Sequence, residues 1–383
     1  MKIVVVGLGE TGRALIKLLD GSGHDITVID RDKNLVDQIT DKYTVNGVCG
    51  SGASADTLLK AGADTADVIV ALTHTDEINL LSCMQAKAVG TKKSAARILM
   101  PDLMLEEGSI KKTYNIDYIV SPKKELAEEI YRNIGFPGCV KLENYPDADI
   151  FVIDTNAIEG SPLIGRSIGD ILNEHNGNII IGPITRSKKK VLPKESVVIQ
   201  ENDGLYIAVR KDYLSNALKS FGISRKKASN IVIVGGGISA GYLAGMLTSD
   251  KKKLTIIDDD LERCSELMER FPQAKVAYAQ GDITEVLEEE QVEKADAIVS
   301  LTDIDETNLV ISMFAWSKGI SSIITRVDKQ VHVKLLHKVN IDITVSPTEL
   351  SVFMLMRYIN VCDRKHDDEN TQVMEFIDDL RRF

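Results

Sequence analysis

The sequence predicts an α/β protein: two doubly wound parallel-sheet modules with a small α+β domain between them. Three observations carry this expectation. The first is an internal repeat. The segment KIVVVGLGETG from Lys2 returns as NIVIVGGGISAG from Asn230, and Asp30 maps onto Asp258 by the same shift. ADVIVALTHTDEINLL from Ala66 returns as ADAIVSLTDIDETNLV from Ala295, and NIDYIVSP from Asn115 as NIDITVSP from Asn340. A nearly constant shift held over so long a stretch marks a duplication. The second observation is the alternation, in each copy, of short β-branched runs with amphipathic stretches, the pattern of a parallel sheet with crossover helices. The third is a change of pattern over residues 137–223, where short strands are separated by Gly, Pro, Asn and Asp.

In the first copy, residues 1–136, strands are expected at Ile3–Val6, Ile26–Ile29, Thr44–Cys49, Val68–Leu72, Ala96–Met100 and Tyr118–Val120. Fully apolar runs such as VIVAL suit central strands covered on both faces. The loop GLGETG follows the first strand and opens a helix. Gly7 closes the turn, Gly9 lets the backbone approach a pyrophosphate, and Gly12 permits close helix–strand packing. Glu10 and Thr11 begin the helix, whose free N–H groups and positive dipole end suit phosphates. Asp30, followed by Arg31, ends the next strand, where a Rossmann-like module places the acid that holds ribose hydroxyls. Gly50-Ser51 and Leu72-Thr73 stand at later strand ends and offer amides and hydroxyls for adenine and ribose. The run Asp76-Glu77-Ile78-Asn79 falls at a helix start and reads equally as capping or as a ligand or interface contact. Arg97 ends a strand and faces a phosphate, an opposing module, or a partner in a surface ion pair.

The middle segment contains DIFVID, NIIIGPITR, SVVIQ and GLYIAVR as expected strands, with a helix over Ser167–Glu174 preceded by EGSPLIG. The second copy, residues 228–363, repeats the loop with Gly235, Gly237, Ile238, Ser239 and Ala240. Alanine is tolerated at the third glycine position. Asp258 is followed by Asp259 and Asp260, acids that repel a 2′-phosphate and so exclude NADP. Gly281-Asp282, Leu301-Thr302, Asp305-Glu306-Thr307-Asn308 and Arg326 complete the parallel set. A duplicated module also serves as scaffolding in some proteins, and that alternative stands for the second copy. Residues 364–383 form a charged tail with one short amphipathic segment, Val373–Leu380.

The formal charge is −11, against the clustered basic face that a nucleic-acid partner needs. The runs Arg225-Lys226-Lys227, Lys251-Lys252-Lys253 and Lys188-Lys189-Lys190 are short and read as solvated loops. Five scattered cysteines, Cys49, Cys83, Cys139, Cys264 and Cys362, make no metal-type spacing and suit a reducing cytosol. The N-terminus runs directly into a strand, so no signal peptide is expected. No apolar run approaches the length of a membrane span.

A catalytic constellation is not expected either. The six histidines are His24, His74, His175, His332, His337 and His366; His74 lies near a candidate ligand loop, but Asp303 stands at its place in the second copy. Paired acid and base, a Tyr-x-x-x-Lys pair at a strand end, and a Walker-type loop are all missing. Two cofactor modules without such a constellation point to sensing rather than turnover. The competing readings are an NAD-dependent oxidoreductase with duplicated cofactor domains and a scaffold in which the modules mainly assemble.

The order of glycine loop, terminal Asp, Gly-Ser or Gly-Asp turn, ALT…DE.N, Arg and VSP resembles the domains that regulate potassium conductance. The doubling, with EGSPLIGRSIGDI between the copies, resembles the TrkA-type peripheral nucleotide-binding subunits of bacterial Trk potassium uptake systems, over residues 1–363. That resemblance implies binding of NAD or NADH, or of ATP or ADP. It implies a homo-oligomeric ring, dimer or tetramer, and a membrane potassium-translocating partner. The location it implies is cytoplasmic, peripheral on the inner face of the plasma membrane. By resemblance, Gly7, Gly9, Gly12, Asp30, Ser51, Thr73 and Arg97 line one site. Gly235, Gly237, Ala240, Asp258, Asp282, Thr302 and Arg326 line the other. Two departures are visible. Ser51 replaces the acid that the family carries after the glycine, and the family's second small domain has no counterpart in residues 364–383.

Overall fold

Ile3, Val4, Val5 and Val6 are each at most 2% exposed, so this run has apolar layers on both of its faces. Ile3 and Val5 point into one layer with Leu15, Ile16 and Leu19. Val4 and Val6 point into the other with Leu58, Cys83 and Ala86. The alternation is the period of two that a central strand requires. A computed structural model of the chain describes residues 1–363, except 106, 137–139, 146–148, 188, 225–227, 340 and 342. The tail at 364–383 with Val373–Leu380, Cys139, His366, Lys188 and the run Arg225-Lys226-Lys227 lie outside the described residues.

The first sheet comprises β1 (Lys2–Val6), β2 (Asp25–Asp30), β3 (Asn46–Cys49), β4 (Val68–Ala71), β5 (Lys93–Arg97) and β6 (Tyr118–Val120). Its order is β3-β2-β1-β4-β5-β6 and every pairing is parallel. The order reverses between β1 and β4, and the crevice beyond the carboxyl ends there is the usual ligand position of such sheets. One strand sits earlier than Ala96–Met100, the expected range. β5 runs from Lys93 because Ser94 pairs with Ile69 and Ala95 with Val70, and the chain turns into a helix at Pro101.

The same compact unit, Met1–Leu126, includes the helix Pro347–Asp363. Val352, Leu355 and Ile359 are fully buried in the layer formed by Leu15, Ile16 and Leu19, and Tyr358 stacks on Tyr118 at 4.7 Å. This helix follows the second copy in sequence and packs on the first.

The second unit runs from Ala127 to Val345. Its antiparallel sheet contains β7 (Val140–Tyr145), β8 (Ile150–Asn156), β9 (Ile179–Ile181), β10 (Ile184–Arg186), β11 (Lys189–Val191) and β12 (Gly204–Arg210). The order is β11-β10-β12-β8-β7, with β9 also on β12. Ser167 caps the helix Ile168–Glu174 by accepting the Asp170 N–H, close to the expected start. SVVIQ does not join the sheet. Its backbone pairs with the turn before that helix, Ile168 N–H to Val197 O and Ile199 N–H to Arg166 O, both 2.9 Å, so its ladder groups are already occupied.

The parallel sheet of the second copy comprises β13 (Asn230–Val234), β14 (Lys253–Asp258), β15 (Lys275–Tyr278), β16 (Ala297–Ser300), β17 (Ser322–Arg326) and β18 (Thr344–Val345). The order β15-β14-β13-β16-β17-β18 reproduces that of the first sheet. The protein is therefore α/β, two doubly wound parallel sheets with an antiparallel α+β domain between them in sequence. No helix among the described residues is long and apolar enough to cross a membrane.

Candidate functional site

The glycine loop after β1 reaches across to the end of β4. Gly7 has φ +98°, and a Cβ there would lie 2.9 Å from the Thr73 nitrogen and 3.0 Å from the Leu72 carbonyl carbon. At Gly12 a Cβ would come within 2.1 Å of the Gly7 oxygen. Both glycines are thus required by the protein's own backbone. Gly9 is different. Its φ is an ordinary −64°, and the nearest group to a Cβ is His74 Nε2 at 3.2 Å; at the corresponding Gly237 nothing lies within 4 Å. Packing asks little of this position: a Cβ at Gly9 would need only the His74 side chain to give slightly, and at Gly237 it would meet open space, which leaves room for close approach by a ligand.

Around this loop the sequence-predicted residues of the first copy converge. Asp30 Oδ2 accepts the Leu8 N–H at 2.7 Å and Oδ1 accepts the Asp32 N–H at 2.9 Å, which fixes the carboxylate across the loop and leaves lone pairs on both oxygens. Arg31 donates to Ser51 Oγ at 3.1 Å, linking the ends of β2 and β3. Leu72 is buried and contributes only its backbone, while Gly50 is glycine because a Cβ would meet Thr57 Oγ1 at 2.7 Å. Glu10 is exposed at the first turn of the helix Glu10–Leu19, and Thr11 beside it is buried.

Arg97 is 7% exposed. It donates to Thr11 Oγ1 at 3.2 Å and to the Thr73 carbonyl at 2.9 Å, and its buried Nε has no hydrogen-bond partner. The surface ion pair considered from sequence does not form at Arg97 among the described residues. Burial pushes its pKa down, with Asp76 opposing.

Asp76 and Asn79 of the Asp-Glu-x-Asn run bond neighbouring strand ends, and the helix N-cap, Thr75, makes no side-chain capping bond. Fully buried Asn79 accepts the Thr73 N–H and Oγ1–H at 2.7 Å each and donates to the Thr73 and Arg97 carbonyls at 2.9 Å each. Asp76 accepts the Leu99 and Met100 N–H groups at 2.9 and 2.8 Å. Together they clamp the ends of β4 and β5, and Asn308 and Asp305 repeat the arrangement on Thr302, Arg326, Asp328 and Lys329. Strict recurrence of the run in both copies was the sequence signal for this role.

In the second copy Gly235 has φ +103° and the same tight approach to Leu301 and Thr302. Asp258 is 4% exposed; it accepts the Gly236 N–H, the Asp260 N–H at 2.9 Å, and Arg263 Nη1 at 3.0 and 3.1 Å. Asp282 is the N-cap of the helix Ile283–Glu289, accepting the Thr284 N–H at 2.7 Å, and those Thr284 bonds hold its carboxyl below the usual range. Ile238 is exposed, Ala240 is buried where Gly12 stands, and Asp259, Gly281 and Asp282 are exposed in the loops that follow β14 and β15. Arg326 here does form an ion pair, with Asp303. Among the described residues no cluster suits a metal ion. Of the described histidine side chains, His24 faces the N-terminus, His175 packs on Tyr213 and Phe221, and His332 bonds Asp305.

The TrkA-N domain family model matches residues 3–122 and again 231–347, and the TrkA-C domain model matches residues 157–222. The Trk system potassium uptake protein TrkA of Vibrio alginolyticus is 27% identical over 368 residues, which are 95% of this chain and 80% of that protein. The Trk system potassium uptake protein TrkA homolog 2 of Methanosarcina mazei is 30% identical over 360 residues, 92% of this chain and 79% of that protein. The GsuK channel bound to NAD shares the fold over 94% of this chain and 63% of its own, with a TM-score of 0.67 at 19% identity. Two TrkA-N domains with a TrkA-C domain between them account for most of the sequence, and the chain belongs to the TrkA family of Trk-system potassium uptake proteins.

Proposed function

We propose that this chain is a nucleotide-sensing regulatory subunit that binds NAD, NADH, ATP or ADP and controls potassium passage through a membrane partner. The observation that carries the reading is Arg97: a buried guanidinium with no ion pair among the described residues and only Asp76 acting on it from a distance, beside a glycine loop and a helix N-terminus. A buried cation is costly unless an anion reaches it, and a pyrophosphate on Gly7, Gly9, Glu10, Thr11 and Gly12 brings that anion within range. In this reading Asp30 accepts ribose hydroxyls, and Arg31, Gly50, Ser51, Leu72 and Thr73 border the adenosine. The corresponding cleft of the second copy is bordered by Gly235, Gly237, Ile238, Ser239, Ala240, Asp258, Asp259, Gly281, Asp282, Leu301, Thr302 and Arg326. Residues 1–136 and 228–363 are read as the two glycine-loop, nucleotide-binding-type domains and 137–223 as a regulatory domain, with the correction that the helix Pro347–Asp363 belongs to the first compact unit because Val352, Leu355 and Ile359 are buried there.

Support for the transport role comes from relatives named as Trk system potassium uptake proteins, and for the ligand from a channel of the same fold bound to NAD. We read the partner as a membrane potassium-translocating subunit, the assembly as a homo-oligomeric ring, and the place as the cytoplasmic face of the membrane. A ligand controls the partner only by binding two conformations unequally. The Asn79 and Asp76 clamps supply a route, because they tie the crevice to the helix Asp76–Val89. The chain is read as a sensor without turnover, so nicotinamide absorbance stays constant with NAD or NADH and a panel of alcohols, aldehydes and amino acids.

The test is thermal unfolding with NAD, NADH, ADP, ATP and NADP, followed by potassium flux through the reconstituted partner. Stabilisation by the first four but not NADP, with flux that depends on which nucleotide is present, is the expected result. Equal stabilisation by NADP refutes the ribose assignment, and flux indifferent to nucleotide refutes the regulatory role.

A further inference from the structure

The two clefts are copies in backbone but not in charge. In the first, Arg97 reaches Thr11 at the start of the glycine-loop helix, and the neighbouring strand-end positions hold His74 and Leu99. In the second, those positions hold Asp303 and Asp328, and Arg326 pairs with both, the latter at 3.8 Å. Ser239 stands where Thr11 does. It is 7% exposed, and among the described residues its Oγ has no hydrogen-bond partner, while the guanidinium is engaged with the acids. The ribose end differs in the same sense. Arg263 occupies the place of Leu35 and lies on both oxygens of Asp258, whereas no ion pair forms at Asp30 among the described residues.

We propose that Asp303 and Asp328 are specificity-determining residues that close the second cleft to a nucleoside diphosphate, so that each chain takes up a single nucleotide, in its first module. The inference rests on the nucleotide-binding reading above. The acids do for Arg326 what a phosphate does for Arg97: they supply the anion beside the guanidinium. A diphosphate arriving at Gly237 meets one largely buried cation already paired with two carboxylates, exposed Asp303 in direct contact and part-buried Asp328 at 3.8 Å, a net negative surround that solvent screens only in part. At Gly9 it meets Arg97 with no acid paired to it and the imidazole of His74, which stands 3.2 Å from where a Cβ would be. At the other end a ribose has to displace Arg263 from Asp258, a charge-assisted contact, before its hydroxyls are accepted. The second module therefore supplies its own anions to the guanidinium and keeps its charge pattern whichever nucleotide is present. The first module alone responds.

Isothermal titration of the full chain with ADP, and separately with NAD, tests this. Wild type is expected to bind one equivalent per chain. The double variant D303H/D328N, which removes both acids and installs the histidine of the first copy, is expected to bind two. H74D, at an exposed position, is expected to weaken the wild-type site at least ~10-fold. Two equivalents of similar affinity in wild type overturn the proposal while leaving the nucleotide-binding reading intact. So does a folded double variant, shown by an unchanged circular dichroism spectrum, that still binds one. H74D with unaltered affinity also overturns it, because the ligand is then elsewhere. Absence of binding by either nucleotide overturns the proposal and the nucleotide-binding reading together.

Discussion

Asn308→Ala is a perturbation whose size is readable from the structure. Asn308 is 0% exposed and makes four hydrogen bonds: from the Thr302 N–H at 2.9 Å and Oγ1–H at 2.8 Å, and to the Thr302 and Arg326 carbonyls at 2.9 and 3.0 Å. Truncation leaves the Thr302 carbonyl with Arg326 Nη1, and the Thr302 hydroxyl with the Ile304 carbonyl. The Thr302 N–H and the Arg326 carbonyl lose the Asn308 partner. Each such group, left unsatisfied, costs about 1–3 kcal/mol, so the loss for the two is about 2–6 kcal/mol. The reporter is built in: Trp316 is the only tryptophan and lies on the same helix, Asp305–Ser317. With a urea m-value of about 2 kcal/mol/M, the transition seen by Trp316 fluorescence falls by about 1–3 M. Asn308→Asp keeps the acceptor but turns a second oxygen toward two carbonyls, so it is expected to lose at least as much. A midpoint moved by less than about 0.3 M at constant m refutes the idea that this side chain holds the two strand ends together.

Two further expectations follow from single carboxylates. Asp30→Ala removes the proposed ribose acceptor and releases the Leu8 N–H, so NAD-dependent thermal stabilisation is expected to fall sharply at site one; an undiminished shift with NAD refutes the assignment. Asp203 is 0% exposed, and although burial pushes its carboxyl up, the Arg186 pair and the Gln200 N–H hold it below the usual range. A depressed carboxyl contributes stability above its unfolded pKa of about 4, lost as pH falls through the lower folded value. Asp203→Asn is expected to destabilise the chain at neutral pH and to reduce the acid sensitivity of urea unfolding below about pH 4. A variant with the wild-type pH profile refutes that role.

Much of the arrangement was legible because it rests on local necessity. Gly7 and Gly235 sit at φ near +100°, where glycine is favoured, and the runs after them keep the period of buried strands and amphipathic helices. Asp76 and Asn79 recur in the second copy as Asp305 and Asn308 because the same two strand ends need the same clamp. SVVIQ was less legible: its composition suits a strand, but its hydrogen bonds are taken by the turn at Arg166–Ile168, and no local pattern reveals that partner. β5 was displaced for a related reason, since small residues such as Ser94 and Ala95 suit a crowded buried strand without looking like one.

The sequence by itself determined two copies of a glycine-loop module, the strand ends that carry their polar groups, and the family to which the motif order points. Those features depend on residues near one another in the chain. Tertiary structure decided what each group does once there. Arg97 and Arg326 occupy equivalent positions, yet one is buried against Thr11 without an acid and the other is paired with Asp303. Thr11 and Asp303 come from other segments, brought beside the arginines only by the folded sheet. The helix Pro347–Asp363 makes the same point at larger scale: the sequence places it at the end of the second copy, but Val352, Leu355 and Ile359 complete the first module's core. Burial is non-directional along the chain, so an apolar face specifies that it must be covered and leaves the choice of cover to the fold.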